Sequence, residues 1–121
     1  MGILFPSLLF TALHGANTEV VTQPNPEGTL SLLGYYFMVG AFMAWLTVKD
    51  KTLELALGLH AANNIATFVF VTSPDSSIPS PAIFSVADTQ ASFTSLFFTA
   101  ISLLVFAFIV FRVLKKPLLP Q

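Results

Sequence analysis

The sequence contains no cysteine among its 121 residues. This absence excludes disulfides, thiolate metal ligands and cysteine nucleophiles together. Charge is also scarce, since only 9% of the residues are charged, against about 25% in a typical soluble domain. With five basic residues and a net charge of -1, the chain has no basic surface suited to nucleic acid. Hydrophobic residues make up 55% of the chain and the mean hydropathy is +0.80, which predicts a membrane protein surrounded by a lipid bilayer.

Long apolar runs predict an all-α fold, a polytopic transmembrane helix bundle with about four segments. A span needs about 20 apolar residues to cross the hydrocarbon core. The predicted spans cover residues 3–21, 29–48, 52–72 and 91–111. The first helix has two possible ends, at His14 or at about Val21. Prolines and serines predict an extended loop over residues 73–90.

The third span decides the predicted arrangement. His60 and Asn64 are four residues apart and share one helix face. Gly58, Ala62 and Ala66 repeat every four residues on the opposite face, and such small residues let another helix approach closely. A helix with a polar pair on one side and a small-residue seam on the other is predicted to lie at the centre of the bundle.

The basic residues predict the orientation. All five lie in the turn at 49–51 or in the tail at 112–116. The other two loops carry only acidic residues, namely Glu19, Glu27, Asp75 and Asp88. By the positive-inside rule, the C-terminus is predicted to be cytoplasmic.

Polar side chains at membrane depth are the candidate functional residues: His14, His60, Asn63 and Asn64. His60, Asn63 and Asn64 could instead form interhelical hydrogen bonds that only support packing, and Gly40 and Ala44 are interpreted as packing residues. If the first helix stops at His14, we expect that ring at the outer surface, far from His60. If it continues to Val21, the two histidines lie at similar depths.

A metal site is not predicted. A catalytic zinc usually takes three protein ligands, whereas His14 and His60 are the only imidazoles and the chain has no HExxH motif. Glu54 lies about 120° around the helix from His60, and so is badly placed as a third ligand. Any metal would have to use His14 and His60.

Two short motifs carry a resemblance to a known family. Phe10 and His14 form an FxxxH pattern, and His60 and Asn64 form an HxxxN pattern within HAANN, where Asn63 supports the match. Over about Ser7–Val71, the chain resembles the CPBP family of intramembrane endopeptidases, which includes the CAAX-processing proteases and bacteriocin-immunity homologues. The resemblance implies that residues 1–121 are the C-terminal portion of such a protease domain, incomplete relative to the family, as either a fragment of a longer protease or a natural remnant.

The resemblance also implies a mechanism. A glutamate pair in an EExxxR motif activates water in this family, so His14 would assist that base, while His60 and Asn64 would stabilise the oxyanion. Substrates would be peptides or prenylated proteins, and the location a bacterial inner membrane. Family members are often described as metalloproteases, which allows zinc as a cofactor although the residues themselves do not support it.

The sequence departs from the family in one respect, because it contains no EExxxR motif. General base catalysis contributes about 10²–10⁴-fold to a rate, so the chain alone is predicted to be inactive, and partner helices could complete the bundle. Two alternatives stay open. One is a non-enzymatic, immunity-type membrane protein that acts by helix contacts, and the other is a small bundle that handles protons or ions with His60 as a relay.

Overall fold

The computed structural model describes residues 2–78, 80–86 and 90–114. Five α-helices account for most of these residues, and the last continues into a π-helical turn. The helices are α1 (Leu4–His14), α2 (Thr18–Val21), α3 (Pro26–Asp50), α4 (Glu54–Phe70) and α5 (Phe93–Phe108), with the π-helical turn at Ile109–Val113. The predicted all-α class is confirmed.

Two of these helices are long and apolar enough to cross a membrane, α3 and α5 with its π-helical extension. α1 is a shorter apolar helix of 11 residues, and α4, which carries the polar pair, has 17 residues. At 1.5 Å per residue, α1 covers only about half of the ~30 Å hydrocarbon core. The first span therefore ends at His14, and residues 18–21 form a separate short helix.

The centre of the fold is α3. Asn25 caps its start by accepting a hydrogen bond from the backbone N–H of Gly28 at 2.8 Å, with Pro26 in the first turn. It ends at Lys51, which adopts a left-handed conformation (φ 59°). Between these points α3 contacts α1, α2, α4 and α5. The expectation that the 52–72 helix lies at the centre is therefore wrong.

α1 and α3 approach each other closely at Gly40. A Cβ atom added to Gly40 would lie 3.2 Å from Cβ of Phe10 and 3.3 Å from Cα of Ser7. Ser7 is completely buried and its hydroxyl donates to the carbonyl of Ile3. The packing role predicted for Gly40 is confirmed.

The small-residue face of α4 is exposed in the described chain. A Cβ at Gly58 would meet no atom within 4 Å, and Ala62 and Ala66 are exposed as well. The predicted close contact on this face is therefore wrong for the part of the chain that the structure describes. Residue spacing identifies which side chains share a face, but it does not say whether another helix covers that face.

The predicted loop after α4 contains a small element of its own. Val71–Thr72 (β1) and Phe84–Ser85 (β2) pair as two-residue parallel strands. The hydroxyl of Ser80 also donates to the carbonyl of Phe68 at 2.9 Å. These bonds fold the loop back over the end of α4.

Part of the orientation argument lies outside the described residues. Lys115 and Lys116 of the basic tail and Asp88 of the acidic loop belong to the segments that the structure does not describe. The cytoplasmic C-terminus accordingly stays a prediction.

Candidate active site

His14 lies in the last turn of α1, and its ring orientation is fixed by a backbone contact. Nδ1 of His14 is 2.8 Å from the carbonyl oxygen of Phe10. A carbonyl only accepts, so Nδ1 carries the proton of the neutral ring. The unprotonated nitrogen is then Nε2, which is the atom able to take up a proton. The Phe10 ring packs against the imidazole with a centroid distance of 4.2 Å.

His60 and Asn64 contact each other on α4, one turn apart. Nδ2 of Asn64 donates to Nε2 of His60 across 3.3 Å, a long hydrogen bond. Nδ1 then carries the proton of neutral His60, and Asn64 keeps a second N–H on Nδ2. The pair therefore has two N–H groups not used in its mutual contact.

Phe10 brings the two motifs together. Its ring lies 4.2 Å from that of His14 and 5.6 Å from that of His60, in an edge contact with the latter. The two imidazole centroids can therefore be no farther apart than the sum of these distances. Both histidines and Asn64 line one cavity of about 300 Å³, which Asn63 also borders.

The expectation that a short first helix would separate the histidines is wrong. It assumed that α1 starts at one membrane surface and ends at the other. Instead, the end of α1 lies beside the middle of α3, because His14 stacks on Tyr36 at 4.6 Å. Tyr36 is about ten residues from the start of α3, roughly 15 Å along that helix. His14 therefore reaches the depth of His60 without a longer helix.

Sequence reasoning missed several residues of the cavity, among them a hydrogen-bonded group formed by Asn17, Glu19, Tyr36 and Ser77. The hydroxyl of Tyr36 donates to Oε1 of Glu19 at 2.6 Å, and Nδ2 of Asn17 donates to the same oxygen at 3.0 Å. The backbone N–H of Ser77 donates to Oε2 at 3.1 Å, and the Ser77 hydroxyl bonds the same oxygen. Glu19 thus joins α2, α3 and the loop after β1.

These hydrogen bonds control the charge of Glu19, which lies in α2, outside the spanning helices. Burial raises the pKa of its carboxyl, but hydrogen bonds from Ser77, Tyr36 and Asn17 outweigh this effect. The pKa of Glu19 consequently lies below its ordinary value of 4.5. Glu19 is a carboxylate at neutral pH, with both oxygens engaged in holding the structure together.

The lowered pKa of Glu19 gives a prediction about the stability of the fold at acidic pH. Because the folded-state pKa of Glu19 is depressed, its contribution to stability is complete above pH 4.5 and is lost as the pH falls through the lower folded value. For the wild type in detergent, we expect the midpoint temperature of unfolding to decrease as the pH is lowered through that acidic range. The variant Glu19→Gln should lack this component. Thermal unfolding measured at a series of pH values tests this dependence. Glu27 is an exposed acid, so Glu27→Gln is the control. Equal effects of the two substitutions would contradict the stabilising role of the Glu19 carboxylate.

A second cavity of about 440 Å³ lies between α3, α4 and α5. Its lining includes His60 and Asn63, which also border the first cavity, and Phe98 and Phe106 of α5. His60 therefore borders both a polar cavity and a more apolar one that opens between the helices.

A zinc ion does not fit the residues described. No group of three His, Asp or Glu side chains comes together within residues 2–78, 80–86 and 90–114. Two imidazoles are fewer than the three protein ligands that a catalytic zinc takes. Glu19, the carboxylate of the cavity, has both oxygens engaged by Tyr36, Asn17 and Ser77. No step of the chemistry is therefore assigned to a metal.

Comparison with known proteins identifies the family. The family described as type II CAAX prenyl endopeptidase Rce1-like matches residues 1–66, more than half of the chain and including both motifs. The chain is also 32% identical over 109 residues to a Bacillus subtilis (strain 168) protein named only as uncharacterized protein YyaK. That match covers 89% of this chain and 34% of the relative, so the chain spans about a third of the relative's length. No solved structure matches.

The chain therefore belongs to the Rce1-like family of CAAX prenyl endopeptidases. The resemblance drawn from the FxxxH and HxxxN motifs is confirmed. Family membership and the apolar helices together identify a membrane protein.

Proposed function

We propose that this chain supplies the histidine and asparagine part of the active site of an intramembrane endopeptidase. The enzyme would hydrolyse peptide bonds of membrane-associated substrates. One observation carries the proposal: two imidazoles and one carboxamide, His14, His60 and Asn64, line a single cavity although they come from helices far apart in sequence. Residues 1–121 would then form the C-terminal portion of the protease domain.

Each group has a role that matches its hydrogen bonding. Nε2 of His14 is unprotonated in the neutral ring, which suits a group that helps a base remove a proton from the attacking water. His60 and Asn64 each keep an N–H beyond their mutual bond. Donors held in place before reaction stabilise the oxyanion of a tetrahedral intermediate strongly in a site from which bulk water is excluded.

The principal base would come from residues beyond these 121. Glu19 is the carboxylate that lines the cavity, and both its oxygens already accept hydrogen bonds. The EExxxR motif of the family is missing from the sequence. A helix carrying that glutamate pair would complete the site, either from the same protein or from a partner. We place the complex in a bacterial inner membrane, with the basic turn at Lys49 and Lys51 on the cytoplasmic side.

The test compares the chain with and without the missing base. The chain is reconstituted in proteoliposomes alone, or together with a family segment that carries EExxxR, and cleavage of a fluorogenic prenylated peptide is measured. We expect no cleavage above background by the chain alone and cleavage by the pair, since a general base contributes about 10²–10⁴-fold. His60→Ala in the pair is the inactive control.

Two outcomes would contradict this proposal. Cleavage by the chain alone that His60→Ala abolishes would show that no external glutamate is needed. Failure of the assembled pair to cleave any prenylated or apolar peptide would leave the cavity without a peptidase role.

The exposed face of α4 favours a second candidate, a non-enzymatic membrane protein that acts through helix contacts. Gly58 is unobstructed, and large apolar neighbours such as Leu57 and Ile65 are also exposed. In that case Gly58→Leu would abolish capture of a partner by crosslinking in native membranes, while His60→Ala would not. The peptidase proposal expects the reverse, namely that His60→Ala abolishes cleavage and Gly58→Leu does not.

A further inference from the structure

Tyr36 stands between His14 and Glu19, although it belongs to neither motif. Its ring centroid lies 4.6 Å from that of the His14 imidazole, with an angle of 30° between the planes. Its hydroxyl donates to Oε1 of Glu19 at 2.6 Å. Tyr36 is 8% exposed, so its ring is enclosed by the helices around it.

The Tyr36 ring is fixed at both ends. One end is attached to the middle of α3, and the other is bonded to a carboxylate that is itself held in place. Asn17 and the backbone N–H of Ser77 hold the two oxygens of Glu19 at 3.0 and 3.1 Å. A tyrosine side chain has only two main torsions, so these contacts leave its ring little freedom. The surface presented to His14 is therefore rigid.

The imidazole of His14 depends on that surface for its orientation. The imidazole ring has two orientations that are related by a flip, and Nδ1 can bond to the Phe10 carbonyl in only one of them. Phe10 and Tyr36 pack against the ring at 4.2 and 4.6 Å, and rotation of the ring must displace one of them. Without the Tyr36 ring, the imidazole could turn over and exchange its two nitrogens. The nitrogen left unprotonated in the cavity would then vary.

We propose that Tyr36, tethered by Glu19, is a positioning residue for His14. It keeps Nδ1 on the Phe10 carbonyl, so that Nε2 is the nitrogen free to accept a proton. Its relevance to catalysis rests on the proposed peptidase function. The ring orientation itself does not, because it can be measured in the isolated chain.

The experiment uses histidine labelled with ¹⁵N in the 121-residue chain, reconstituted in lipid nanodiscs. The sequence contains two histidines, so the spectrum of His60→Gln assigns the His14 signals. Nitrogen shifts then give the ratio of the two neutral tautomers of His14. We expect the Nδ1–H form to predominate in the wild type. In Tyr36→Leu the ratio should fall by about two- to tenfold, the change expected when the net stabilisation from one hydrogen bond is lost.

Milder variants separate positioning from folding. Tyr36→Phe keeps the ring but loses the tether, and Glu19→Ala removes the tether from the other side, so both should lower the ratio less than Tyr36→Leu. Tyr35→Leu is the matched control, because the Tyr35 ring contacts Tyr36 at 5.4 Å and lines the same cavity. It should leave the His14 ratio close to that of the wild type.

The outcomes are distinct. An unchanged ratio in folded Tyr36→Leu, or an equal change in Tyr35→Leu, would overturn the positioning role. If Tyr36→Leu does not fold, unchanged ratios in both Tyr36→Phe and Glu19→Ala would overturn it as well. A changed ratio combined with absence of cleavage in the assembled peptidase would count against the peptidase function and leave the positioning role standing.

Discussion

Gly40→Leu is expected to separate α1 from α3 and to disrupt the cavity. The smallest side chain at this position would place a Cβ 3.2 Å from Cβ of Phe10 and 3.3 Å from backbone at Ser7, and contacts to backbone have no flexible end that can move away. Overpacking of this kind typically costs about 1–3 kcal/mol. Because Phe10 contacts both imidazoles, its displacement should also remove the contact between the two motifs.

The chain offers a matched control for this substitution. Gly58 also lies within a helix, but a Cβ there would meet no atom within 4 Å. Gly58→Leu should therefore leave the stability of the isolated chain unchanged or slightly raised, since leucine has a better helix propensity than glycine. Unfolding in a denaturing detergent series measures both variants. Similar midpoints for Gly40→Leu and wild type would contradict the close packing of α1 on α3.

Asn64→Ala is expected to reduce kcat of the assembled peptidase by about 10²–10³-fold, the usual effect of removing one oxyanion donor. KM should change little, because the interaction forms in the transition state rather than with the bound substrate. Asn63→Ala provides the comparison within the same helix, since Asn63 borders the cavity but has no contact with the His60 ring like that of Asn64. Its effect on kcat should be much smaller.

A double substitution sharpens this test. His60 and Asn64 are hydrogen-bonded to each other, so their contributions should be strongly non-additive. His60→Ala combined with Asn64→Ala should be scarcely slower than His60→Ala alone. Losses that multiply, or equal losses for Asn63→Ala and Asn64→Ala, would argue against a shared oxyanion site.

The motifs and helix class could be predicted from the sequence because they depend on short spacings. The four-residue intervals in FxxxH and HxxxN place their members on one helix face, and long apolar runs identify helices. The Glu19–Tyr36 contact could not be found in this way. It joins residues 17 positions apart across a change of chain direction, and no local spacing encodes such a pairing.

The wrong predictions have a common physical origin. The position of His14 was derived from helix length alone, whereas the structure sets it through the approach of Phe10 to Gly40. The central place predicted for the 52–72 helix rests on its polar pair and on its small residues, but an exposed Gly58 and a packed Gly40 look alike in sequence. Which small-residue face is covered depends on the tertiary arrangement of the other helices.

The shortness of α1 has a consequence for hydration. Its last residue, His14, lies beside the middle of α3, so the irregular backbone at Gly15–Asn17 lies next to the middle of a helix that is long and apolar enough to cross a membrane. Such backbone is tolerated there only where protein groups or a wet cavity satisfy its polar atoms. Asn17 of this segment and the nearby Glu19 and Ser77 are hydrophilic and border the cavity. These polar groups offer hydrogen-bond partners for water next to His14, so the proposed hydrolysis would receive its second reactant from the cavity and not through acyl chains.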